Sequence, residues 1–440
     1  MPSPIEQPPL FRDLFLPDDH TPAYSPQAHE TERVLQTSSE SAPDLPSQDP
    51  APYAHQPESS THYIYNNEYM HVNMGPRLWG PRQPAYGFNG IVQGTVKLTK
   101  KCSHVYRLQV SLLGNAKVSA TSRGMLSDML DKPLVSSTTT LFATTPEATF
   151  CPTEHVFTFS IPFPTFVSGE LSPLPPSYMA WSPGLSVETT YTLKLDVFRK
   201  GLRRHENRHI PLLYLPKTWP SLPPPRRDIM HQGQPSEFKT IPLPPIWPSD
   251  DCPRFKARAN VPTVELFIPA HTTFSSGSTI PLKMTFTCAQ SPASAKLLTP
   301  STEVRLLKRT LARVQGVSGT GVVNGGRELI VATGVLIEAD NSQEGVSVAY
   351  FDLQAGETGK EQSWRINGEL EVAYFIRVSI RSSGGTTNYL PTFSHDELVQ
   401  ISTEPWGTRD REELQGGASA PAIGMNNPRI ELRPTHSVAW

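Results

Sequence analysis

Cysteine is scarce: Cys102, Cys151, Cys252 and Cys288 are the only four in 440 residues, and no two share a CxxC spacing. That argues against a disulfide scaffold and against the usual zinc-site pattern, and it predicts buried thiols in a reducing compartment. No run of about eighteen apolar residues occurs, so no membrane-spanning helix is expected. The opening MPSPIEQPPLFRD has neither the basic nor the apolar block of a signal peptide. An excess of either charge is missing too: 39 Lys and Arg against 41 Asp and Glu leave a formal net charge of −2, which points away from nucleic acid. Long stretches with apolar residues at helical spacing are absent, so a helical fold is not expected. The chain carries no GxSxG, Walker-type loop or paired-carboxylate arrangement. The expectation is a protein that binds rather than catalyses, with no cofactor.

Proline is abundant instead, at 46 residues. Twelve fall within 1–57 and twelve more within 216–262. The first stretch is also rich in Ser, Glu, Asp and His, and reads as a disordered tail over 1–62. The second reads as an extended linker, because proline cannot donate to a strand ladder.

Between and beyond these stretches, apolar residues alternate with polar ones. Val92, Gly94, Val96 and Leu98 share one face, against Gln93, Thr95, Lys97 and Thr99. After the basic turn Lys100–Ser103, Tyr106, Leu108, Val110 and Leu112 resume the pattern. A period of two marks half-buried strands, and the pair reads as a hairpin at the centre of a first sandwich. Further runs follow at 134–142, 157–163 and 191–197, with one helical turn expected over 125–132. A second series covers 264–268, 280–288, 304–311, 329–337, 372–380 and 398–402. Short strands separated by Gly, Pro and Ser turns predict two tandem immunoglobulin-like β-sandwiches, over 63–215 and 263–405, followed by a polar tail over 406–440.

Several stretches of the first half resemble the N-terminal domain of arrestins, as found in fungal alpha-arrestins. They are GFNGIVQGTVKLTKKCSHVYRLQVSLLG (87–114), HVFTFSIPFP (155–164), LPPSY (174–178), VETTYTLKLDVFRKGL (187–202) and IPLLYLP (210–216). The second half resembles the arrestin C-terminal domain through VPTVELFIPAHTTFSSGSTIPLKMTF and VAYFIRVSI. The resemblance implies an arrestin fold and an adaptor that links membrane transporters or receptors to a ubiquitin ligase and endocytosis. It also implies a cytoplasmic location, peripheral to the plasma membrane or endosomes. A sorting scaffold of the same fold without ligase recruitment, of the retromer type, is the alternative.

Alpha-arrestins recruit WW-domain ubiquitin ligases through Pro-Pro-x-Tyr, which a WW groove takes as a preformed polyproline turn. The one full match is Pro175-Pro176-Ser177-Tyr178, inside a stretch that the family uses as structure. The tail offers a partial match at Pro22 and Tyr24. For acidic or phosphorylated cytoplasmic tails, and for anionic lipid, the candidates are cationic. Arg199, Lys200, Arg203, Arg204 and Arg208 crowd one stretch, and Lys97, Lys100 and Lys101 form a second, smaller group. His205-Glu206-Asn207-Arg208-His209 fits HExxH, which in a zinc hydrolase places both histidines on one face of a helix. Here it follows a period-two strand and runs into Ile210-Pro211, so a charged surface loop is the expectation. The Gly-rich 316–326 lacks the following helix of a dinucleotide loop and reads as a β-loop.

Overall fold

A computed structural model describes residues 61–120, 128–144, 151–152, 155–201, 205–225, 237–247, 262–289, 291–315, 322–381, 390–415 and 417–426. The Pro22/Tyr24 motif, Arg203, Arg204 and Cys252 lie outside these residues.

The fold is all-β, in two similar halves of two sheets each. The first half contains β1 (His62–Asn66), β2 (Met70–Pro76), β3 (Ala85–Tyr86), β4 (Ile91–Leu98) and β5 (Val105–Ala120). It continues with β6 (Asp128–Ala143), β7 (Val156–Pro162), β8 (Tyr178–Ser182), β9 (Leu185–Arg199) and β10 (Glu206–Tyr214). One sheet runs in the order β1-β2-β4-β7, and the facing sheet β3-β10-β9-β5-β6, with β8 added to β9. Val92, Val96 and Leu98 of the first sheet meet Leu108, Val110, Leu112, Leu193 and Leu195 of the second, all essentially inaccessible to water. Each such side chain contributes roughly 1.5–3 kcal/mol of transfer free energy.

The expected β4–β5 hairpin is not formed. The two strands belong to opposite sheets, and the turn between them crosses the end of the sandwich. Both strands aim an apolar face at one core, and alternation looks the same whether the next strand pairs alongside or crosses over. Cys102, in that crossing, is buried with Cys151 in the first core, and both are free thiols. Burial pushes the Cys151 thiol up to about 11, which leaves it a packing residue rather than a nucleophile.

The second half contains β11 (Phe238–Leu243), β12 (Thr263–Pro269), β13 (Thr273–Ser275), β14 (Thr279–Thr287), β15 (Thr302–Gln315) and β16 (Val322–Thr333). β17 (Val335–Asp340), β18 (Val346–Gln354), β19 (Trp364–Ile366), β20 (Leu370–Ile380) and β21 (Phe393–Ser402) complete it. Its sheets run β11-β12-β14-β18-β17 and β13-β21-β20-β15-β16, with β19 added to β20. They enclose a core that includes Leu266, Leu282, Met284, Phe286, Leu306, Tyr374 and Ile376.

Three expectations are corrected here. The proline-rich stretch 216–262, expected as a linker, contains β11, which pairs with β12 along its whole length. Pro242 is tolerated because β11 is an edge strand, where a missing donor breaks no ladder. Residues 128–132 are strand rather than helical turn; the α-helices among the described residues are Pro292–Leu298 and Arg409–Leu414. The segment after 405, expected as a polar tail, returns to the first sandwich. Gly87 N–H donates to the Ser419 carbonyl (3.0 Å), Ala422 N–H donates to Leu215 (2.8 Å), and Ile423 and Met425 pack on Ala85, Leu213 and Leu215. A Cβ on Gly87 would run into the Ala420 carbonyl, so glycine is required there for the close approach.

Candidate functional site

Tyr178 sits where the two sandwiches meet. Its hydroxyl lies 2.7 Å from Thr310 Oγ1, and its ring meets Trp364 edge-on at 5.3 Å. Lys308 Nζ lies 5.6 Å from the Tyr178 ring centre and the same distance from Tyr374, while bonded to Glu361 at 2.8 Å. Lys132 of β6 joins Glu170 of the first half (2.5 Å) to Glu369 of the second (2.6 Å). Ala312, Ile366 and Leu370 of the second half belong to the buried cluster of the first. The residues before Tyr178 are fixed as well. The Pro175 carbonyl accepts from Tyr191 OH (2.5 Å), and Ser177 exchanges hydrogen bonds with the Tyr214 backbone (2.7 and 2.9 Å). Pro175, Pro176 and Ser177 are buried. Burial raises the Tyr191 and Tyr214 hydroxyls well above the ordinary phenol range, so both stay neutral, Tyr191 as the donor to Pro175. A WW groove needs both prolines and the tyrosine ring, and here all three are held within the fold.

The cationic residues behave differently: two groups separate in sequence arrive at one place. The crossing from β4 to β5 carries Lys100 and Lys101, and the end of β9 carries Arg199 and Lys200. Arg199 Nε donates to the Ser103 carbonyl (3.1 Å), its Nη2 to Lys101 (3.4 Å), and Lys200 N–H donates to His104 (3.0 Å). His104 takes a left-handed conformation (φ 62°) in this turn. Lys97 stands exposed on the outer face of β4, close before the crossing. Lys101 pairs with Glu68 at 2.7 Å, with both side chains mostly in solvent, so the pair is a weak constraint. Arg199 spends its donors on the turn and lies 5.6 Å from the Tyr69 ring centre, which makes it a brace for the lysines. Arg208 alternates with the outward residues of β10, on the same side as buried Ile210, and its Nε is buried without a hydrogen bond. Its side chain therefore shares the inward side of β10 and does not stand on the outer face. No spacing rule flags Glu68, Ser103 or His104, because their part depends on the crossing between sheets.

The HExxH stretch is strand, not loop or helix, from Glu206 onward. His209 lies opposite Lys194 and is separated from His205 by four residues of extended chain, or about 13 Å at strand rise. Glu206 points to the opposite face. His205 Nε2 instead meets Asp196 Oδ1 at 3.2 Å, and its ring packs on Phe198 at 4.3 Å. Burial and Lys194 lower the His209 pKa, which favours its neutral form. No cluster of His, Cys, Asp or Glu with metal-holding geometry occurs among the described residues. The Gly-rich 316–326 lies between β15 and β16, with Val322–Gly326 already in the ladder.

A cleft of ≈ 1070 Å³ opens on the outer face of the β2-β4-β7 region, lined by Asn73, Gln93, Thr95, Thr158, Trp79 and Gln415 among others. It has no Lys or Arg in its lining and does not suit an anion. No helix among the described residues is long and apolar enough to cross a membrane. Comparison of the chain with protein-family models and with curated proteins gives no match.

Proposed function

We propose that the chain is a non-enzymatic, arrestin-like adaptor that binds acidic or phosphorylated cytoplasmic tails of membrane proteins and passes them to ubiquitination and endocytosis. The observation that carries this reading is the convergence of Lys97, Lys100, Lys101 and Lys200 at one end of the first sandwich, braced by Arg199. Phosphate and carboxylate groups are attracted to such a cluster, with strength that falls as salt rises. The two halves, in contact at Tyr178, supply one frame on which a second partner is held near the first, so neither contact needs high affinity.

The test is binding of a phosphorylated acidic peptide to the purified chain, followed by fluorescence anisotropy at 50 and 300 mM salt. Lys100→Glu with Lys101→Glu and Lys200→Glu is expected to weaken binding at least tenfold at low salt. Equal binding by the variant sinks the cargo assignment.

The second reading, a sorting scaffold without ligase recruitment, is favoured by the engagement of Pro175, Pro176 and Tyr178 within the fold. On the first reading, the ligase contact falls to Pro22 and Tyr24. Pull-down of WW domains separates the two: loss of capture in Tyr24→Ala supports the ligase-linked adaptor, and no capture by the wild type supports the scaffold.

A further inference from the structure

We infer that the edge formed by β16 and β17 is a docking site for an extended peptide segment of another protein, added as a further strand to the second sandwich. β16 and β17 are the terminal strands of their two sheets and are joined by Gly334 alone. Gly334 passes so close to Val304 that an added Cβ would lie 2.9 Å from the Val304 Cβ, and its N–H donates to the Val304 carbonyl (2.8 Å). The end of β16 that carries Leu329 and Ile330 therefore continues into β17 along one open side, while β16 also touches β5 and β9 of the first sandwich.

All six residues of β17 are exposed, and the first three are apolar: Val335 (60%), Leu336 (43%) and Ile337 (50%). Leu329 (41%) and Ile330 (57%) of β16 extend the apolar surface. An apolar edge with an unused ladder is a liability that proteins normally suppress with charge, proline, brevity or cover. The other edges show those devices. β6 is rich in Ser and Thr and contains Pro133, β7 ends on Pro162, and β11 carries Lys239 and Pro242. β1, β3 and β13 are short. On β17 the devices are a bulge at Ile337, which pushes that side chain out of register, and the carboxylates of Glu338 and Asp340 at the far end, so the apolar end at Val335 and Leu336 is left without one.

Charge selects the occupant. β17 ends on Glu338 and Asp340, and among the described residues neither has an ion-pair partner; the Asp340 carboxylate accepts from Ser342, whose N–H donates to Oδ1 (2.9 Å). A strand added here meets apolar side chains at one end and two carboxylates at the other. It is therefore an alternating, β-branched segment with Lys or Arg at the end over Glu338 and Asp340. A second copy of β17 brings no cation to those carboxylates, and an edge of six residues falls short of the roughly 800 Å² per partner of a stable dimer.

The probe is a random twelve-residue peptide library, selected on the full chain and counter-selected on the Val335→Lys, Ile337→Lys variant. Both side chains are exposed, so the variant should melt with the wild type. The expected result is a consensus of alternating β-branched residues with a basic end. Selected peptides should bind the wild type at least tenfold tighter than the variant, and slow amide exchange over 335–340. Glu338→Lys should remove the preference for a basic end. The assignment is overturned by absence of a consensus, by equal binding to the variant, or by protection elsewhere. Self-association of the wild type that disappears in the variant overturns it as well, by assigning the edge to a second copy.

Discussion

Replacing Tyr178 with alanine separates a structural tyrosine from a ligand tyrosine, because the two roles give opposite results. The hydroxyl bond to Thr310 is worth about 0.5–1.5 kcal/mol, and the edge-on contact with Trp364 adds about 0.5–1.5 kcal/mol beyond area. The ring is half-buried, and its loss also removes packing against Lys308 and leaves Thr310 Oγ1 without its partner. Together the substitution is expected to cost roughly 2–4 kcal/mol, within the range for aromatic truncation at a packed site. Tyr178→Phe, which keeps the ring, should cost only about 1 kcal/mol. The assay is denaturant unfolding of the purified chain, with Trp364→Ala and the double variant closing a cycle. A coupling of about 1 kcal/mol between Tyr178 and Trp364 is expected for residues in direct contact. If Tyr178→Ala leaves stability within about 0.5 kcal/mol and abolishes WW-domain binding, the structural assignment is refuted.

Further outcomes follow from other contacts. Arg377 and Arg309 hold the Asp396 carboxyl down at about 2, and a depressed carboxylate stabilises the fold above its unfolded pKa. That contribution should fade as pH falls from about 4 toward 2, and Asp396→Asn should flatten this part of the stability–pH curve; an unchanged slope refutes it. Gly87→Ala should unseat the returning C-terminal segment, seen as faster amide exchange over 417–425 while the cores stay protected. Metal analysis of purified protein should find zinc well below one equivalent, unaffected by His205→Ala with His209→Ala; stoichiometric zinc lost in that variant would restore the hydrolase reading.

Strand content was legible because each strand has one wet and one dry face, as in 92–98 and 106–112. Pairing was not. Whether β5 lies beside β4 or across from it depends on the turn at 99–104, where His104 adopts a left-handed conformation that no composition rule required. The same crossing brings Lys100 and Lys200 together, and the sequence alone shows them as two separate groups. β11 was hidden by its prolines, which an edge strand tolerates. The structural use of Pro175–Tyr178 was suggested by its place within the strand series, but its partners Thr310 and Trp364 lie more than 130 residues away in sequence.

The adaptor reading is tested most directly by proximity labelling in cells with the full chain. Transmembrane transporters or receptors, together with a ubiquitin ligase, are the predicted neighbours, and the transmembrane set should shrink when Lys100, Lys101 and Lys200 are reversed to Glu. A neighbour set without membrane proteins, or one unchanged by the reversal, would contradict it.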